Sequence, residues 1–70
     1  MNINKVLDKA YETKSLKEIV NAPVAAIEGI SENDAKLLEQ AFKVRTIGDL
    51  GRQKFFLWAQ ALVVLAEGEE

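Results

Sequence analysis

Nine consecutive residues, Ile27-Glu28-Gly29-Ile30-Ser31-Glu32-Asn33-Asp34-Ala35, constrain this chain more than any other stretch. Gly29 can take the left-handed conformation that ends a helix, at no steric cost. Ile30 is expected to be buried in the turn. Ser31 is a helix N-cap, and Asp34, three residues on, completes a capping box. The stretch therefore predicts two helices joined by a tight apolar turn, with Gly29, Ile30, Ser31 and Asp34 as its structural residues.

Two further boxes of the same kind flank it. Ser15-Leu16-Lys17-Glu18 opens a short helix through Leu16, Ile19 and Val20, which Asn21-Ala22-Pro23 stops. Pro23 suits the first position of the next helix, predicted over Pro23 to Glu28. Thr46-Ile47-Gly48-Asp49 opens another short helix, ending near Leu50 and Gly51. The Ser31 helix is predicted to run to about Phe42, burying Ala35, Leu38 and Phe42. On its solvated face Glu32 and Lys36, then Glu39 and Lys43, stand at i,i+4. Toward the N-terminus Ile3, Val6, Leu7, Ala10 and Tyr11 recur at helical spacing and predict a helix over about 3–13. That stripe docks either on the domain or on a partner chain.

The last helix is predicted from about Arg52 to Glu67. Between Phe55 and Ala66 its only polar residue is Gln60. A helix apolar on nearly every side must be covered on nearly every side. Two readings stand: a central post wrapped by the shorter helices, or a helix whose Phe56, Trp58 and Val63 face another subunit.

At 70 residues the chain makes one small domain, predicted over 1–66, with an acidic, disordered tail over 67–70. There is no Cys and no His, so disulfides, thiolate metal sites, Ser–His triads and thiol nucleophiles are all excluded. Glycines at 29, 48, 51 and 68 fit neither nucleotide-loop spacing. Glu28, Glu32 and Asp34 read as caps and solvated charges. The apolar run of the last helix is too short to span a bilayer, which needs about 20 residues, and the N-terminus has no signal-peptide pattern. The expectation is a non-enzymatic, cytoplasmic protein with no cofactor, no metal, no membrane and no small-molecule substrate.

The formal charge is −2, but three carboxylates lie in the tail, leaving +1 over the rest. Lys43, Arg45, Arg52 and Lys54 face only Asp49 in the segment 43–54, a local +3. This is a small basic patch, less than the footprint of a committed nucleic-acid binder.

The order Pro23, Ile27-x-Gly29-Ile30-Ser31, Ala35, Leu38, Phe42-x-Val44 and Thr46-Ile47-x-Asp49-Leu50 resembles a helix-hairpin-helix domain. It is similar to those of DNA repair and recombination proteins and to the C-terminal domain of the bacterial RNA polymerase alpha subunit. The resemblance covers residues 16–66. It implies an all-α, compact bundle of about five or six short helices with helix-hairpin-helix (SAM/HhH-like) architecture and a central apolar C-terminal helix. It also implies sequence-independent DNA binding, through amides at the second helix of the hairpin. Some members hold a monovalent cation on hairpin carbonyls, which would correspond to Glu28 to Ile30.

The chain departs from the family at the second hairpin glycine, which is Ser31. Glu32 and Asp34 then occupy the turn where a phosphate would land, and their carboxylates complement the helix dipole themselves. The expected function is therefore a non-catalytic interaction module, binding a protein partner or its own copy through Ile3, Val6, Leu7, Tyr11, Phe56, Trp58 and Val63. The alternative is weak DNA or RNA binding at the second turn through Lys43, Arg45, Gly48, Gly51, Arg52 and Lys54, where the glycines would permit close backbone approach.

Overall fold

The computed structural model describes residues 6–7, 11 and 13–69. Among these the chain is helical, with no strand. It runs through α1 (Leu16–Val20), a 3-10 turn (Val24–Ala26), α2 (Glu32–Phe42), α3 (Ile47–Arg52) and α4 (Lys54–Glu67). Most of the helix predicted over 3–13 lies outside the described residues. Val6 and Leu7 depart from it. Leu7 forms an antiparallel bridge with Ile27, and the Glu28 amide donates to the Val6 carbonyl at 2.9 Å.

All three capping boxes form. The Ser15 hydroxyl accepts from the Glu18 amide (3.2 Å), Ser31 from Asp34 (3.0 Å) and Thr46 from Asp49 (3.0 Å). In each, the acidic side chain reaches back to the cap amide. These bonds satisfy amides that have no partner within the helix. The turn glycine behaves as its position requires, with φ +99° at Gly29.

The first arm of the hairpin is shorter than predicted. Pro23 stays extended (φ −57°, ψ 147°), and only one 3-10 turn follows before Ile27 is extended again. A long-range pairing explains this. Pro23 bridges Thr46, Val24 donates to the Arg45 carbonyl (2.9 Å), and Ile47 donates to the Ala22 carbonyl (3.0 Å). Backbone groups committed to residues 45–47 cannot also close helical turns.

This pairing sets the core. Among the described residues the buried apolar ones are Leu7, Ile19, Ala22, Val24, Ala26 and Val44, with Val24 and Val44 each only 1% exposed. The stripe predicted on α2 is only partly covered: Ala35 and Leu38 are half-buried and Phe42 is exposed, as Ile30 in the turn is half-buried. Neither predicted ion pair on α2 forms among the described residues, and Glu39 pairs with Arg45 (3.7 Å) in place of Lys43. Lys43 sits in the left-handed C-cap of α2 at φ 58°.

The expectation of a central C-terminal helix is overturned: α4 contains no buried residue. Ile19, Val24 and Val44 close the core without it. Gln53 is extended (φ −67°, ψ 116°), ending α3 and starting α4 in a new direction. Its side-chain oxygen accepts from the amides of Phe55 (2.7 Å) and Phe56 (3.3 Å). The Cα radius of gyration is 13.6 Å, against about 11 Å for a compact domain of this length, in keeping with a helix that stands off the core.

Candidate interaction surfaces

Two regions compete as the working surface: the basic second turn and α4. At the second turn the positive charges do not converge on a common point. Arg45 faces Glu39. The Lys54 ammonium lies over the rings of Phe55 (5.3 Å) and Trp58 (5.7 Å), a cation–π arrangement. Arg52 lies against the junction of α1 and α3, where its Nη1 and the Val20 side chain fill the space beside Gly48. Gly48 is buried there, so the close approach expected at this glycine is taken by α1. Gly51 is exposed, with open space where a Cβ would stand.

The anion-attracting amides are also engaged. The Asp49 carboxylate accepts from the amides of Arg45 (3.1 Å) and Thr46 (3.2 Å). Those backbone donors hold its pKa below the usual carboxylate value, with Arg52 a smaller contributor. At the hairpin, the Ser31 amide donates to Asp34 Oδ2 (3.1 Å), and the Asp34 amide to the Ser31 hydroxyl.

α4 presents the opposite character. Its first turn is clasped by Phe42, whose ring lies 5.1 Å from that of Phe56 and 6.4 Å from that of Phe55. Phe55 in turn stands edge-on to Trp58 at 5.7 Å. Beyond this clasp the helix projects. Phe55, Leu57, Trp58, Leu62, Val63, Val64 and Leu65 are all 49–71% exposed.

The residues predicted to form a protein interface therefore separate. Trp58 and Val63 are exposed, Phe56 is half-buried against Phe42, and Tyr11 is half-buried. Val6 is exposed, whereas Leu7 is buried at its bridge to Ile27 and is removed from any surface. Ile3 lies outside the described residues. Sequence reasoning missed Phe55, Leu57, Leu62, Val64 and Leu65; their signal was the apolar run itself. Among the described residues no helix is long and apolar enough to cross a membrane. No family model matches this chain, and no curated protein or solved structure matches it either.

Proposed function

We propose that this chain is a non-catalytic protein-interaction module. Its core around Val24 and Val44 is the scaffold, and α4 carries the docking face for a polypeptide. The observation that carries this reading is the exposure of seven large apolar side chains along one 14-residue helix. Single exposed apolar residues are ordinary, but a contiguous set of this size marks an interaction surface. We read the architecture as a variant helix-hairpin-helix domain. The left-handed Gly29 and the Ser31 cap support that reading, and the carboxylates of Asp34 and Asp49 on the helix-start amides weigh against a phosphate-binding role.

The test is the double variant Leu62→Glu with Leu65→Glu, at dilute concentration. Both side chains are more than 60% exposed, so the variant should fold with stability within about 0.5 kcal/mol of the parent. Loss of the fold would mean that this face belongs to the core, and would end the proposal. A parallel titration with duplex and single-stranded DNA at low salt should leave the amide resonances of residues 43–54 in place. Salt-sensitive shifts centred there would favour the nucleic-acid alternative instead.

A further inference from the structure

We infer that the partner of α4 is α4 of a second copy of this chain, packed antiparallel about a two-fold axis at Ala61. This rests on the docking role proposed above and names its occupant.

Phe42 contacts Phe55 and Phe56, which fixes the side of α4 turned toward its own domain. With 3.6 residues per turn, the opposite side carries Lys54, Leu57, Trp58, Ala61, Val64, Leu65 and Gly68. The order of these residues is symmetric about Ala61. Leu57 and Leu65 stand four residues either side of it, Trp58 and Val64 three, and Lys54 and Gly68 seven. Rotation about Ala61 therefore lays large on large: Leu57 meets Leu65 of the other copy, and Trp58 meets Val64. At the centre the small Ala61 side chains let the helix axes approach. A surface that pairs with itself under a two-fold rotation is what an isologous dimer requires.

The two ends of α4 carry opposite charge. Lys54 stands at the N-terminal end of α4, with Glu67 and Glu69 at or just past its C-terminal end; Arg52, in α3, is turned to α1 and takes no part. Antiparallel pairing sets each cationic end beside an acidic end and opposes the helix dipoles favourably. Parallel pairing would set like charges together. Leu57, Trp58, Val64 and Leu65 are each about half exposed or more. At roughly 100 Å² apiece, about half of an aromatic's burial, they contribute on the order of 400 Å² per copy. With Ala61 and the Lys54 stem, the total approaches the roughly 1,000 Å² threshold of a specific interface. The dimer is accordingly weak and concentration-dependent.

Sedimentation equilibrium over micromolar to millimolar chain tests the association, and the native absence of cysteine makes its geometry readable. The expected result is a monomer–dimer equilibrium that Ala61→Glu weakens by about tenfold or more. Ala61 is exposed, so that variant keeps the melting curve of the monomer. For orientation, Lys54→Cys chains are mixed in equal amounts with Gly68→Cys chains and oxidised. Antiparallel pairing yields chiefly the mixed disulfide, whereas homodisulfides alone would mean a parallel pair and overturn the proposal. A chain that stays monomeric throughout, whatever other protein or lipid surface binds the face, also overturns it. In that case the docking role still stands if Leu62→Glu with Leu65→Glu folds; if that variant unfolds, both fail.

Discussion

Gly48 and Gly51 occupy the same six-residue helix, α3, and the structure predicts opposite outcomes when each becomes alanine. A Cβ at Gly51 would meet nothing within 4 Å. Gly51→Ala therefore collects the helical advantage of alanine over glycine, about 0.5–1 kcal/mol near a helix end. At Gly48 the new Cβ would lie 2.8 Å from both Arg52 Nη1 and Val20 Cγ1, and 3.1 Å from the Val20 carbonyl oxygen. The arginine tip can swing aside, but the carbonyl is part of α1 and cannot move without it. Crowding of this kind costs about 1–3 kcal/mol, more than the helical gain. The net expectation is a loss of about 1 kcal/mol for Gly48→Ala and a difference of about 2 kcal/mol between the variants. For a domain of this size 1 kcal/mol shifts the melting temperature by roughly 4–8 °C. Thermal unfolding followed by far-ultraviolet circular dichroism should therefore separate the two by about 10 °C, one on each side of the parent. A Gly48→Ala chain melting at or above the parent would show that α1 is not seated against α3, and the reasoning from that contact would fail.

Three further outcomes are expected. Val44→Ala removes two methyl groups from a site only 1% exposed, and denaturant titration should report a loss of about 2–3 kcal/mol, enough to leave so small a domain largely unfolded near its physiological range. Lys43→Gly relieves a left-handed lysine at φ 58°, so its melting temperature should equal or exceed the parent's, by up to about 0.5 kcal/mol after the entropy cost of glycine. Because the folded state holds the Asp49 pKa below its unfolded value, the stability from this group is present at neutral pH and lost as pH falls through the depressed folded pKa. Carboxyl resonances followed on acidification should show Asp49 titrating below its ordinary value, and Asp49→Asn should remove that part of the acid sensitivity.

The parts of this fold that could be read in advance are those decided within a few residues. A hydroxyl and a carboxylate three positions apart form a capping box almost regardless of what surrounds them, so Ser15, Ser31 and Thr46 declared the starts of α1, α2 and α3. Gly29 declared its turn for the same reason. The pairing of residues 22–24 with 45–47 depends on partners about twenty positions away, and nothing local announces it. That pairing shortened the predicted arm after Pro23 and placed Val44 at the centre. Gln53 was equally silent, since glutamine is not among the favoured N-caps, yet its side chain starts α4. The apolar run of α4 asks for cover, but composition cannot say whether cover comes from within the chain or from outside it.

The division of labour around Gln53 has a consequence for how such a chain can change over generations. The buried residues among those described all lie before this position, and α4 beyond its Phe42-clasped first turn adds none to them. Substitutions beyond the first turn of that helix are therefore screened by what they do to association and scarcely at all by folding. A chain of only 70 residues, with little stability to spare, can in this way alter the strength and choice of its contacts without first acquiring compensating changes in its core.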